Sequence, residues 1–196
     1  VSGHTGKWHT AIDHNAFPQP QDQGFDFTRN HLGASAAMRP HRLTGFATKE
    51  KNDPYQLDHK GFPKDETTVD ALEFMEQSKE KAFFLYYAAW LVHTPIHSRS
   101  KELLKKYCEK LGVDFPKEPS SWTLAGQKNP YYCAMVEMFD HYVGQLLQYL
   151  EETPDPRWPG HMLIENTYVI LTSDNGGMER VPHEIITDNF PLDRGK

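Results

Sequence analysis

The chain has 196 residues and a formal net charge of −6, with 38% hydrophobic and 24% charged residues. This balance gives no reason to expect nucleic acid as a partner, because phosphate backbones are bound by clustered Lys and Arg. No apolar run approaches the roughly 18 residues that span a bilayer, whereas a small anionic substrate stays compatible with the net charge. No secretory signal is visible, and the start at Val1 without a Met leaves localisation open.

Residues 1–65 are rich in His, Pro, Gly, Asn and Asp and show little periodicity. They predict a loop-rich segment with short strands, and a loop of this length is usually functional or covered by another part of the protein. From Thr67, where Thr67 and Asp70 imitate a capping box, an apolar face at helical spacing predicts a helix. The run "AFFLYYAAWLV" at 82–92 predicts a fully buried strand of a parallel sheet.

Two further helices and a second strand follow. Residues 100–112 predict a helix capped by Ser100 and stopped by Gly112, and 113–130 form an excursion between core elements. Apolar residues recur at three- and four-residue steps over 132–150, which predicts a long helix. "TPDPRWPG" breaks it, and "TYVILTS" at 167–173 predicts a second buried strand. This order indicates an α/β fold with a parallel sheet.

The two cysteines, Cys108 and Cys133, lack CxxC spacing. The pattern favours two buried thiols over a disulfide, and the redox compartment stays undecided.

Ligands of parallel sheets collect at the carboxyl ends of strands, and "TSDNGG" follows the second predicted strand. Asp174 and Asn175 carry hard oxygen donors suited to Ca²⁺ or Mg²⁺, and Gly176 and Gly177 would supply the bend that turns both toward one ion. The alternative is a plain turn, since Asn-Gly is a favoured turn dipeptide.

Four other polar residues are candidates, each with a plain alternative. His93, in "VHTPIH" after the first strand, suits a general acid or an anion ligand, although a lone His is more often only hydrogen-bonded. Lys7 and His9 of "GKWH" point the same way in an extended segment and suit an anionic substrate, or simply a solvated loop. Lys196 closes the chain and by itself carries almost no signal.

Five stretches in the same order resemble the sulfatase family, of the alkaline-phosphatase-like superfamily. They are "GKWH" with "GFDF", "FFLYYAAWLVHTP", "YYCAMVEMFDHYVGQLLQYLEE", "NTYVILTSDNGG" and "TDNFPLDRGK". The resemblance implies a mixed, mostly parallel sheet flanked by helices. It makes 1–196 a central part of the catalytic domain, with 1–65 as a loop-rich active-site segment and 66–196 as a helix and strand core.

Several features of the family pattern are absent. The Cys/Ser-x-Pro/Ala-x-Arg motif, the source of the formylglycine nucleophile, is expected upstream of "GKWH" and is absent there, as are the strand with paired Asp expected upstream and the subdomain expected downstream. Asp193 stands where the family usually has Arg. We therefore expect the remainder of the same polypeptide to complete the site, and residues 1–196 alone to be inactive.

The resemblance assigns roles to the candidate residues. Asp174 and Asn175 would provide part of a Ca²⁺ site, in preference to Mg²⁺, and Lys7 and Lys196 would clamp the sulfate. His93 would contact the leaving oxygen and donate its proton, and His9 would assist the formylglycine hydroxyl. The substrate would be a sulfate ester of a carbohydrate or an aryl alcohol. The resemblance also suggests export to a periplasmic, extracellular or lysosomal location.

Two other functions remain open from the sequence. One is a phosphoesterase or phosphonate hydrolase of the same superfamily, which turnover of aryl sulfate against aryl phosphate would separate. The other is a non-catalytic remnant that keeps the fold for binding, which a parent polypeptide without the nucleophile motif would favour.

Overall fold

The structure is a computed structural model that describes residues 1–8, 18–29, 45–117, 122–193 and 195. The chain divides into two compact units. Unit 1 comprises Val1–Ala36, Asp65–Trp90 and Asp140–Ile170. Unit 2 comprises Ala37–Lys64, Leu91–Phe139 and Leu171–Lys196.

Unit 1 is built on a three-stranded parallel sheet. Strand β1, Ser2–Gly6, lies in the middle, between β2, Phe27–Arg29, and β3, Phe84–Ala88. Parallel neighbours need a crossover connection, and helix α1, Glu66–Ser78, lies in the chain between β2 and β3. The α/β class with a parallel sheet packed against helices is confirmed.

Helix α1 begins at a different residue from the one predicted. Its N-cap is Asp65, whose carboxylate accepts hydrogen bonds from the backbone N–H of Thr68 at 2.9 Å and from its hydroxyl at 2.6 Å. The prediction of a cap at Thr67 was wrong, because the buried Asp65 side chain satisfies the first turn two residues earlier.

The core of unit 1 lies between α1 and the second half of helix α3, Pro130–Glu152. Its buried members are Phe74, Met75, Leu150 and Leu163. The hydroxyl of Tyr149 also donates to the Glu76 carboxylate at 2.7 Å, which links the two helices at their surface. The periodic apolar face predicted for 132–150 is thus confirmed as a helix whose face is buried here.

The opposite face of the sheet is aromatic and partly open. His4 is fully buried there and makes edge contacts with the rings of Trp8, Phe25 and Tyr86. Phe84 is nevertheless 61% exposed. The predicted strand at 82–92 is confirmed over Phe84–Ala88, but the expectation of full burial was wrong, because only one face of β3 packs against described helices.

Unit 2 contains helix α2, Lys101–Leu111, and the first half of α3. Helix α2 begins at the Ser100 cap and ends at Gly112 in the left-handed region (φ 66°), as predicted. The Nζ of Lys106 lies 2.6 Å from the Glu137 carboxylate and pairs α2 with α3. The buried Asn129 begins α3, since its Oδ1 accepts the backbone N–H groups of the first turn.

A short hairpin closes the described part of unit 2. Strands β4, Arg180–Val181, and β5, Glu184–Ile185, pair antiparallel. The Ile185 N–H donates to the Trp122 carbonyl at 2.7 Å, and the Asn129 amide donates to the Ile185 carbonyl at 3.1 Å. The hairpin is therefore fixed at β5.

The second predicted strand, 167–173, is not formed. Tyr168 is 100% exposed, Ile170 87% and Leu171 75%, and the segment makes no ladder with any strand of the described residues. A strand needs a neighbour for its N–H and C=O groups, and β propensity alone does not provide one.

Both cysteine side chains are free thiols, as the spacing favoured, but only Cys108 is buried as expected, and Cys133 is half-buried. Among the helices that the structure describes, none is both long and apolar enough to cross a bilayer.

Candidate active site

Lys7 lies at the carboxyl edge of the unit 1 sheet, directly after β1. Its backbone N–H donates to the Ala88 carbonyl of β3 at 2.7 Å, and its carbonyl lies 3.2 Å from the Nε2 of the buried His4. The backbone is thus held on both sides, while the side chain is half-buried. A cation whose backbone is held at a strand end is suited to an anionic ligand.

Gly6 allows this close approach of β1 and β3. Its φ is 97°, and a Cβ at this position would collide with the Ala88 carbonyl. The residue before Lys7 must therefore be glycine for the strands to meet as they do. The glycine of the "GKWH" stretch is thus explained by the close approach of β1 and β3.

His93 follows the end of β3 by five residues and belongs to unit 2. Its ring is half-buried, and Nδ1 lies 2.8 Å from the Thr94 carbonyl. A carbonyl accepts, so this contact places a proton on Nδ1. His97 is fully buried instead, and its backbone N–H contacts the Met135 sulfur.

Asp174 and Asn175 are both exposed, at the bend that precedes the β4–β5 hairpin. The Ser173 hydroxyl donates to the Asn175 carbonyl and tightens the bend locally. Both residues belong to unit 2 and are adjacent in the chain.

The chemistry of this donor pair fits a hard cation. Ca²⁺ takes six to eight oxygen ligands, and a carboxylate and an amide would supply two kinds of them. Within the described residues, no group of three or more His, Cys, Asp or Glu side chains is gathered where it could hold a metal. The pair is therefore compatible with part of a calcium site and needs further oxygens.

Asn189 was not singled out by sequence reasoning, yet it contacts the backbone beside this pair. Its Oδ1 accepts the Gly177 N–H at 3.0 Å, and its Nδ2 donates to the Gly177 carbonyl at 2.8 Å. The only signal in the sequence was its place in the "TDNFPLDRGK" stretch, which assigns it no task.

The remaining predicted site residues, His9 and Lys196, lie outside the described residues. His93, Asp174 and Asn175 belong to unit 2, whereas Lys7 belongs to unit 1. Asp193, which stands in the place of an Arg, is exposed.

An open depression of about 520 Å³ lies along the hairpin, between Thr123 and residues 180–185. It contains none of the predicted catalytic residues. The candidate residues therefore stand apart from this depression, with Lys7 at the sheet edge of unit 1 and Asp174 and Asn175 at the "DNGG" bend of unit 2.

Comparison with known proteins agrees with the motifs. A curated protein of Formosa agariphila described as "Sulfatase" is 35% identical over 152 residues, which cover 74% of this chain and 24% of that protein. The chain thus spans about a quarter of the length of this relative. The model of the family described as Sulfatase matches residues 2–193, nearly the whole sequence, and the chain therefore belongs to the sulfatase family.

Proposed function

We propose that the polypeptide containing this chain hydrolyses sulfate esters, with a sulfated carbohydrate or an aryl sulfate as substrate. The observation that carries the proposal is the pair Asp174 and Asn175, two hard oxygen donors exposed at a bend in a chain of the sulfatase family. In this proposal the pair forms part of a calcium site. Bound Ca²⁺ would supply positive charge that polarises the sulfate oxygens.

The chain's own cations would bind the sulfate. Lys7 has a fixed backbone and a half-buried side chain, so binding an anion would require ordering only the side chain. Lys196 would contact the same group from the other end of the sequence. Preorganised charge of this kind stabilises the developing negative charge without reorganisation.

Two histidines would move protons. The Thr94 carbonyl orients the His93 ring through Nδ1, so Nε2 would face the leaving oxygen and donate its proton after the ring takes one up. His9 would act on the hydroxyl of the nucleophile. That nucleophile, a formylglycine, would be carried by a part of the polypeptide outside residues 1–196.

Hydrolysis of phosphate esters or phosphonates is the second candidate, since Lys and a divalent ion would bind either anion. Family membership favours sulfate. The third candidate, a non-catalytic binding protein, applies to a polypeptide without the nucleophile. We further propose that the protein is exported and that residues 1–196 alone show no turnover.

The test compares an aryl sulfate with an aryl phosphate as substrates of the full-length polypeptide. We expect saturable turnover of the sulfate that exceeds turnover of the phosphate. Faster turnover of the phosphate would favour the phosphoesterase, and no turnover of either by a folded protein would favour the binding function. His93→Ala removes the proposed proton donor and should lower turnover of the aryl sulfate. His59→Ala is the control and should keep this turnover, because His59 belongs to an exposed turn.

A further inference from the structure

We infer that Asn189 is a positioning residue for the "DNGG" bend: its side-chain amide fixes Gly177 and so sets the direction in which Asp174 and Asn175 present their oxygens. This inference rests on the proposed metal site and extends it to a residue that has no task in that site so far.

The contact is a two-point one. A single amide group accepts the Gly177 N–H at 3.0 Å and donates to the Gly177 carbonyl at 2.8 Å. Both backbone groups of one residue are satisfied by one side chain, which fixes the orientation of that residue as well as its place. Gly177 follows Asn175 by two residues, so the end of the bend cannot turn independently of Asn189.

The Asn189 amide is itself held in place by a further hydrogen bond. Its Nδ2 lies 3.2 Å from the Glu179 carboxylate. The Glu179 carbonyl in turn accepts the backbone N–H of Ile186 at 2.8 Å. The hairpin therefore returns the chain antiparallel to residues 177–179, and this return brings Asn189 beside Gly177 across 12 positions of sequence.

Gly177 is closely packed on its side-chain side. A Cβ on Gly177 would lie 2.8 Å from the Tyr132 hydroxyl of α3 and 3.1 Å from the Thr187 methyl group. A Cβ on Gly195 would collide with the Asn189 amide and with the Gly177 carbonyl. Gly195, the residue before Lys196, therefore lies directly against the Asn189–Gly177 contact at the end of the "DNGG" bend.

Asn189 contacts neither proposed ligand side chain, so its effect on a metal would be indirect. Outer residues that orient metal ligands typically change metal affinity by about 10- to 100-fold when they are mutated. Because Asp174 and Asn175 are exposed, burial does not orient them, and the direction of the backbone at the bend contributes to where their oxygens point.

A purely structural role, in which Asn189 only ties the hairpin down, is the competing explanation. Gln127 provides the matched control, because its amide donates to the Asp188 carbonyl at 2.7 Å and ties down the same segment without contacting Gly177. If Asn189 only anchors the segment, Gln127→Ala and Asn189→Ala should have similar effects on metal binding.

The test measures the calcium Kd of the full-length polypeptide by calorimetry, together with Tm, for wild type, Asn189→Ala, Asn189→Asp and Gln127→Ala. We expect a Kd about 10-fold weaker for Asn189→Ala and an essentially unchanged Kd for Gln127→Ala. Asn189→Asp keeps the size and the acceptor but turns an oxygen toward the Gly177 carbonyl and Glu179. It should weaken calcium binding at least as much, and it serves if the alanine variant does not fold.

Asp174→Ala separates failure of the inference from failure of the proposed function. If Asp174→Ala leaves the calcium Kd unchanged, the metal site itself is wrong, and the inference is overturned with it. If Asp174→Ala abolishes binding while both Asn189 variants stay within about twofold of wild type, only the positioning role is overturned. Equal losses for Asn189→Ala and Gln127→Ala would also overturn it.

Discussion

Gly3 of β1 lies so close to the ring of Phe74 in α1 that a Cβ on the glycine would fall 2.7 Å from the ring. Phe74 is 1% exposed and belongs to the core of unit 1. Helix α1 therefore packs onto the middle strand without a gap. Since the same strand ends at Gly6 and leads into Lys7, this contact also holds in place the strand that carries the proposed sulfate-binding cation.

Gly3→Ala should destabilise the protein by about 1–3 kcal/mol, because the added methyl group overpacks a filled core. Gly144→Ala is the control of identical chemistry. Gly144 lies exposed in α3 with nothing within 4 Å of its Cβ position, and alanine there should stabilise by about 0.5–1 kcal/mol. Urea unfolding measures both, and a neutral Gly3→Ala would contradict the packing.

The buried Asp155 carboxyl predicts a pH dependence of stability. Burial raises its pKa, but hydrogen bonds from the Arg157 N–H, the Asn166 amide and the Arg157 guanidinium outweigh burial and hold its pKa below the usual value. A pKa that is lower in the folded state contributes stability above the unfolded value of about 3.9, and this stability is lost as pH falls through the folded value.

Asp155→Asn should therefore be less stable than wild type at neutral pH, and the difference should shrink in acid, below about pH 4. Urea unfolding across this range measures the free energies of both proteins. A difference that stays constant with pH would show that the charge of Asp155 is not what stabilises residues 155–166.

Lys7→Ala should lower kcat/KM for an aryl sulfate by about 10- to 100-fold, the loss of one charge-assisted hydrogen bond. Lys49→Ala is the control, because Lys49 is exposed and only its carbonyl makes a described contact, with Gln56. Steady-state kinetics of the full-length polypeptide compare the two. Equal kinetics for both variants would remove Lys7 from the site.

The exposed run at 168–171 predicts protection by a partner strand. Tyr168 and Ile170 are β-prone side chains at 100% and 87% exposure, and such a segment pairs readily with another strand. We expect amide hydrogens of 168–171 to exchange at least about 100-fold more slowly in the full-length polypeptide than in residues 1–196, as for backbone groups of core strands. Equally fast exchange in both would contradict this pairing.

The sequence predicted correctly the elements that are stabilised by residues within one segment, and it failed for elements that need a partner far away in the chain. The helices at 100–112 and 132–150 follow from Ser100, Gly112 and an apolar face within one segment, and the structure confirms both. A strand at 167–173 needs a pairing strand from a distant part of the sequence, and the residue types of this segment do not show whether such a strand is present. For the same reason full burial of β3 could not be predicted from its apolar run.

The candidate site shows the same division. Asp174 and Asn175 are visible as a donor pair in one short stretch, and Lys7 as a cation after a glycine. The contact of Asn189 with Gly177 is invisible in the sequence, because only the hairpin brings the two residues together. Sequence thus proposes the groups that would meet a ligand, and structure adds Asn189, whose side chain holds Gly177 at the end of the same bend.

In the proposed function, Asp174 and Asn175 hold a metal that sulfate-ester hydrolysis requires. The most direct measurement is aryl sulfate turnover by the full-length polypeptide before and after chelation, with calcium then restored, in wild type and in Asp174→Ala. We expect that chelation abolishes wild-type turnover, that calcium restores it, and that the variant stays inactive at the same calcium concentration. Turnover that survives chelation, or a variant as active as wild type, would show that the pair does not hold an essential metal.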